Sequence, residues 1–238
     1  MNYSQINSRY EKQTEWTKNL RKKIIKEIPA NAKILEVGCG TNAVMRRTHA
    51  EISHNSKFFG IDIDINALLF SKKISTINFN NSCADGLSLP FPDETFDWIF
   101  CHYLLLWTKY PVKILTEMKR VCKKNGFISA LAEPDYESRI DFPDTRSKIG
   151  KIQTNFLIQN GINTQAGRHL PLWFSEAGIQ NCTFGIFGNN SSFQENLAFI
   201  QMETLQEAQD GEMANNFYSC LPSDILFIPT FYCYGRKD

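Results

Sequence analysis

The sequence predicts an α/β fold built on a doubly wound, Rossmann-like and mostly parallel sheet, and three observations carry that expectation. Between residues 32 and 133, short apolar runs alternate with amphipathic stretches of helical period. Those stretches are long enough to serve as right-handed crossovers, which makes neighbouring strands parallel. Glycines and carboxylates gather just after the apolar runs, at the strand ends where such sheets bind ligands.

Taken in order, residues 9 to 28 suit a helix, because Trp16, Leu20, Ile24 and Ile28 recur every four residues as one apolar stripe. Lys12, Lys18, Arg21, Lys22, Lys23 and Lys26 lie mostly off that stripe and read as a solvated face, and Pro29 and Asn31 end the helix. AKILEVG (32–38) is a buried strand, AVMRRTHAEI (43–52) a helix, KFFGIDID (57–64) a strand and NALLFSKKI (66–74) a helix. TINFNNSCA (76–84) and FDWIFCH (96–102) are the third and fourth strands. KILTEMKRVC (113–122) is a helix with Ile114, Met118 and Val121 on one side, and GFISALAE (126–133), entered through Asn125-Gly126, is the fifth strand. Beyond Glu133 the pattern changes to the polar, proline-bearing EPDYESRIDFPDTRS. Helices are expected over 145–160 and 167–178, the second closed by Gly178. CTFGIFG (182–188) reads as a strand, FQENLAFIQMETLQEAQ (193–209) as a long helix and ILFIPTFYCYGRK (225–237) as the final strand. No repeat or linker divides the chain, so a single domain over 1–238 is expected.

Composition excludes several classes. Hydrophobic residues at 42% and charged residues at 21% are ordinary for a soluble globular protein. Lys plus Arg is 26 against 25 for Asp plus Glu, a net charge of +1, which gives no global pull toward nucleic acid or an anionic membrane. The N-terminus lacks the basic start and apolar core of a signal peptide, and the longest nearly apolar run, IFCHYLLLW (99–107), falls far short of the roughly 20 residues that span a bilayer. Seven Cys without a CxxC pair and four His without ligand spacing predict neither a disulfide framework nor a metal site. A cytoplasmic protein is expected, monomeric or homodimeric, with a small-molecule partner and no nucleic-acid or membrane partner.

The strand tails carry the candidate chemistry. After the first strand comes Glu36-Val37-Gly38-Cys39-Gly40-Thr41-Asn42. Two glycines so spaced allow a tight turn and close backbone approach to a ligand at the start of a helix. Gly38 to Ala43 also fits GxGxxA, so a nicotinamide dehydrogenase is one reading. Asp62 follows the second strand at the distance expected of a ribose-binding carboxylate; the alternative is that it caps the next helix, for which Asp64 is better placed. Asp85 follows the third strand, where it can accept from an adenine amine or simply form an Asp-Gly turn.

The strings ILEVGCGTN, FFGIDID, ADGLSLPFPDETFDWIF and MKRVCKKNGFI resemble class I S-adenosylmethionine-dependent methyltransferases, and more narrowly the ubiquinone/menaquinone-type small-molecule subgroup. The resemblance implies a seven-stranded sheet with an antiparallel last strand over 227–236. It also implies a lid helix at 9–28, a cofactor-binding core at 32–133, a substrate-side insertion at 134–165 and the rest of the sheet in 166–238. Gly38 and Gly40 would line the methionine part of S-adenosylmethionine, and of its product S-adenosylhomocysteine, with Cys39 between them and Glu36 orienting the loop. Asp62 would bind ribose, Ile63 pack on adenine, Asp85 meet the adenine amine, and Gly86 or Leu87 add a backbone contact. Asn42 stands where the family often has a third glycine, and Asn tolerates left-handed backbone.

Methyl transfer is an in-line displacement that rests on proximity and alignment, with a base needed only if the nucleophile begins protonated. In this fold family the fourth strand's tail, Cys101-His102-Tyr103, lies beside the reactive methyl. His102 is then one base candidate or a substrate-facing group, and the other reading is a packed, satisfied His. Asp135 is a second base candidate. Glu133, Asp135, Tyr136 and Arg139 would form a polar rim to the substrate pocket, and the other reading of them is loop capping and turn chemistry. Tyr10 and Trp16 would close over the cofactor, with Trp16 alternatively in the core, and Cys39 reads as a packing residue rather than a nucleophile. Some of the 18 Phe would line an apolar acceptor pocket. A non-catalytic cofactor-binding module is the remaining alternative.

Overall fold

Along β1 (Lys33–Val37) successive side chains pass to opposite faces of one sheet, and both faces are buried. Ile34 joins one apolar cluster with Phe58, Trp98, Phe100 and Phe127, while Leu35 and Val37 join the other with Ile99, Ile128, Leu115 and Met118. A sheet covered on both faces is what parallel strands with helical crossovers require. The computed structural model describes residues 2–52, 55–187 and 225–238.

The chain runs from β1 through α3 (Ala43–Glu51) to β2 (Lys57–Asp62), then through α4 (Ile65–Ile74) to β3 (Asn80–Cys83). It returns to β4 (Phe96–Cys101) on the other side of β1, and α5 (Pro111–Val121) leads to β5 (Cys122–Pro134). These five strands are parallel neighbours in the order β3-β2-β1-β4-β5. After α6 (Asp144–Gln159) and α7 (Ala166–Glu176), β7 (Gln180–Phe187) takes the far edge, and β9 (Thr230–Arg236) lies between β5 and β7, antiparallel to both. The sheet is therefore seven-stranded and mostly parallel, with order β3-β2-β1-β4-β5-β9-β7. The direction of winding reverses between β1 and β4, so the crevice at their carboxyl ends is the switch point.

Local chemistry explains the boundaries. Asp64 caps α4 by accepting from Asn66 N at 2.9 Å and Ala67 N at 3.3 Å. Pro111 opens α5 at a position where no backbone donor is needed. Gly178, at φ +69°, closes the chain after α7. Trp98 Nε1, buried in the sheet, donates to Ser129 Oγ at 2.7 Å.

Several expectations need correction. The helix expected at 9–28 is two helices, α1 (Tyr3–Trp16) and α2 (Lys18–Ile25), broken at Thr17. The Thr17 hydroxyl back-bonds to Thr14 O at 3.2 Å, competing with the regular ladder. Asn2 caps α1 by accepting from Gln5 N, which starts the helix well before residue 9. Arg21 is not on a solvated face: its side chain is fully buried, paired with Glu51 at 2.8 Å and donating to Thr14 O at 2.6 Å and to Thr17 Oγ1. The final strand over 225–237 is split into β8 (Ile225–Phe227) and β9, and Pro229, which has no N–H to give a ladder, lies in the break. β8 pairs with β6 (Ile140–Phe142), a strand not expected within the insertion, as a separate two-stranded ribbon. β5 begins at Cys122 rather than 126, with a register shift against β4 between Phe96 and Trp98. The long helix expected at 193–209 lies outside the described residues. Among the described residues no helix is long and apolar enough to cross a membrane, and no cluster of His, Cys, Asp and Glu could hold a metal ion.

Candidate active site

At the carboxyl ends of β1, β2 and β4 lies a cavity of about 230 Å³. It is built first from the turn after β1. Gly38 and Gly40 take φ +73° and +49°, left-handed values that glycine adopts at little cost. The space above Gly38 is full: a Cβ there would meet Leu104 Cδ1 at 2.7 Å. Asn42, at φ +60°, ends the turn and opens α3 without capping it through its side chain. The Asn42 amide is buried, has no hydrogen-bond partner among the described residues and does not line the cavity.

Asp62, at the tip of β2, holds this turn. Its Oδ2 accepts from Gly40 N at 2.7 Å and its Oδ1 from Asp64 N at 2.8 Å. Each oxygen keeps a lone-pair site for a further donor. Glu36 projects from β1 into the same cavity, is 2% exposed, and its Oε2 has no partner among the described residues. Burial, and then the nearby Asp62 charge, raise its carboxyl well above the ordinary carboxylate range. Cys39 lines the cavity too, but burial, Glu36 and Asp62 push its thiol well up, so it is no nucleophile. Ile63, 74% exposed, offers an open apolar face at the mouth.

The wall after β4 carries His102 and Tyr103. His102 is 8% exposed, and its Nε2 is buried without a partner among the described residues. Burial, helped by the charge of Arg21, lowers it to about 3, so the ring is neutral at physiological pH. Tyr103 takes φ +53°, and its N–H donates to Ala132 O at 2.8 Å. The next three residues are held by one carboxylate. Glu133, fully buried, accepts from Leu104 N and Leu105 N at 2.8 Å each through Oε1 and from Leu106 N at 3.2 Å through Oε2. Burial raises Glu133 to about 7 against the opposing pull of those three donors. Of the two readings of Glu133, pocket rim and loop cap, the structure shows the second: it anchors the loop at Leu104, Leu105 and Leu106.

Asp135 does not reach the cavity. Its carboxylate is fully buried against Arg168 and caps the following turn by accepting from Ser138 N at 3.0 Å, which removes it from reach as a base. Arg139 is likewise turned away, paired with Asp141 at 2.6 Å and donating to Gln153 Oε1 at 2.7 Å. Tyr136 does line the cavity and is 2% exposed. Cys101 is buried in β4 behind the wall, and burial raises its thiol. Asp85, Gly86 and Leu87 follow β3 and are not among the residues that line this cavity; Asp85 Oδ1 accepts from Leu87 N at 2.9 Å as an Asp turn. Among the described residues no Phe lines the cavity: Phe127 and Phe174 are core, and Phe142 and Phe184 lie on the surface.

The roof comes from α1. Tyr10 packs over the turn, its Cε2 standing 3.3 Å from where a Gly40 Cβ would be. Arg9 and Gln13 line the cavity from the same helix face, and Trp16 does not. Neither Arg9 nor Gln13 is singled out by apolar periodicity, which treats polar helix residues as solvated; their spacing about Tyr10 was the available signal. Across the turn, α1 is fastened to α3: Arg46 donates to Glu11 Oε1 and Asn7 Oδ1 at 2.7 Å each, and Thr41 Oγ1 donates to Asn7 Oδ1 at 2.8 Å. A larger, open groove of about 940 Å³ lies between the start of α5 and the loop before α7, lined by Tyr110, Val112, Ile162 and Trp173. Its lining includes neither the glycine turn nor Glu36, Asp62 or His102, so the strand-end cavity is the candidate site.

Residues 35–130 match the methyltransferase domain family. An uncharacterized methyltransferase of Schizosaccharomyces pombe is 29% identical over 166 residues, 65% of this chain and 59% of that protein. A demethylmenaquinone methyltransferase of Staphylococcus saprophyticus is 26% identical over 184 residues, 70% of this chain and 79% of that protein. Among solved structures, a Haemonchus contortus phosphoethanolamine N-methyltransferase, complexed with phosphomonomethylethanolamine and S-adenosylhomocysteine, superposes with TM-score 0.60 at 14% identity, covering 92% of this chain and 53% of that one. At that identity the likeness shows the fold alone. The chain thus spans 59% of the length of the first of these relatives.

Proposed function

Residues 35–130 form a class I S-adenosylmethionine-dependent methyltransferase domain, and on that premise we propose that the protein transfers a methyl group to a small-molecule acceptor in the strand-end cavity. One observation carries the reading: the glycine turn, the Asp62 carboxylate and the unpartnered buried oxygen of Glu36 converge on one cavity at the switch point. S-adenosylmethionine, when bound, supplies a methyl group already activated on a positively charged sulfur. The nicotinamide reading of the glycine turn is set aside by the family match.

The residues fit that cofactor. Asp62, already fixed by the N–H groups of Gly40 and Asp64, presents its free lone pairs to ribose hydroxyls. Gly38 and Gly40 let the backbone approach the methionine part, and Glu36 offers a buried acceptor beside them. Ile63 covers adenine from the mouth, with Asp85, Gly86 and Leu87 available to its outer edge. Glu133 fixes the wall that carries His102 and Tyr103, so the acceptor is aligned by a rigid loop.

His102 shapes the choice of acceptor. A ring held neutral down to about pH 3 gives little driving force for taking a proton. It is a hydrogen-bonding group on the wall that would face the acceptor. A small molecule is favoured by the even charge of the chain, and the name of the demethylmenaquinone relative points the same way. Calorimetric titration tests the cofactor assignment. S-adenosylhomocysteine should bind with a one-to-one stoichiometry and NAD should not; binding of NAD alone would overturn it.

A further inference from the structure

Gln13 is 2% exposed on α1, lines the strand-end cavity, and its Oε1 is buried with no partner among the described residues. A buried carbonyl oxygen left without a donor costs free energy unless a ligand satisfies it. We propose that Gln13 is a cofactor ligand that accepts a hydrogen bond from the α-ammonium group of S-adenosylmethionine. The inference rests on the cofactor reading above.

The donor is identified by elimination. The cofactor carries three kinds of donor: ribose hydroxyls, the adenine amine and the α-ammonium. The ribose hydroxyls have Asp62, whose two oxygens are aimed by backbone donors. The adenine amine belongs toward Asp85, which stands outside the cavity that Gln13 lines. The α-ammonium remains, and the cavity offers groups of the right sign to the amino-acid part that carries it. Glu36 Oε2, another buried acceptor without a partner among the described residues, opens into the same space, and His102 Nε2 lies across it on the wall after β4. Arg9, one helical turn before Gln13, brings a cation to that space and complements the α-carboxylate. Helix α1 then contributes chemistry to the site as well as cover. Its attachment to α3 through Glu11, Asn7 and Arg46 holds Gln13 in register with the glycine turn.

The test compares two probes on two proteins. Q13L keeps the helix and nearly the volume, and its thermal midpoint is measured first to confirm folding. Wild-type protein and Q13L are titrated with S-adenosylhomocysteine and with 5′-methylthioadenosine, which lacks the amino-acid part. Q13L should bind S-adenosylhomocysteine about tenfold or more weakly, the size of a lost hydrogen bond to a charged group. Its affinity for 5′-methylthioadenosine should match the wild type. Equal losses for both probes would make Gln13 a packing residue of the lid and overturn the proposal. Unchanged binding of both by Q13L would overturn it as well. Failure of the wild type to bind either probe would overturn the cofactor reading itself, a distinct result.

Discussion

Replacing Asp62 with Ala removes the carboxylate that joins the glycine turn to the start of the second crossover. In the structure its two oxygens each accept one backbone N–H, from Gly40 at 2.7 Å and Asp64 at 2.8 Å. The side chain is only half-buried, so water replaces much of what those two donors lose. The cost to stability should then be about 1 kcal/mol, a fall of roughly 2–4 °C in Tm for a chain of this size. Cofactor affinity should suffer far more. Two ribose hydroxyls lose a charged acceptor, at about 1.5–3 kcal/mol each before compensation by water. A net loss of about 3 kcal/mol is a weakening of roughly 100-fold. D62N keeps one acceptor and no charge, and should fall between. Calorimetry with S-adenosylhomocysteine measures the affinities, and scanning calorimetry the stabilities. A D62A protein that is folded and binds within threefold of wild type would refute the ribose assignment.

Three further outcomes follow from the same structure. Because Glu133 takes the N–H groups of Leu104, Leu105 and Leu106, E133Q, whose amide can turn only one acceptor to them, should speed amide exchange at those positions by about tenfold or more; unchanged exchange would show the loop is held by something else. His102 is lowered to about 3 in the folded protein against an ordinary 6.5, so the unfolded chain takes up the proton first as pH falls, and the His102 contribution to stability is present above about 6.5 and lost on the way to 3. Between pH 8 and 5 that amounts to about 2 kcal/mol, which H102Q should remove from the pH dependence of urea denaturation; parallel pH profiles for the two proteins would contradict it. E51A leaves the buried Arg21 guanidinium without its counter-charge and should cost about 3 kcal/mol in the same assay, while a loss under 1 kcal/mol would mean the pair is not buried as described.

What could be read from the chain follows where the determining contacts are local. β1, β2 and β4 are apolar runs largely buried on both faces, and α4 carries its own Asp64 cap, so short windows of sequence contain the reasons for each. The glycine turn and Asp62 are legible for the same reason: a left-handed turn needs glycine, and the carboxylate stands at the next strand end. Contacts between distant residues were not legible. Glu133 anchors residues 27 to 29 positions before it, and nothing in EPDY marks those partners. Asp135 looked available because Arg168 is 33 residues away in sequence. Arg21 looked solvated because a charged residue off an apolar stripe usually is, yet Thr14, Thr17 and Arg21 share a polar face that packs against Glu51. The ribbon of β6 and β8 joins two three-residue pieces that are too short to show a period.

Methyl transfer to a small molecule within the strand-end cavity is open to direct measurement. Its direct test is incubation of the protein with methyl-labelled S-adenosylmethionine and a fractionated cell extract, with D62A in parallel. Label should appear in a small-molecule fraction, with S-adenosylhomocysteine formed in equal amount, and both should be lost with D62A. Tight binding of S-adenosylmethionine with no S-adenosylhomocysteine formed in any fraction would contradict it, as would label confined to protein or nucleic acid.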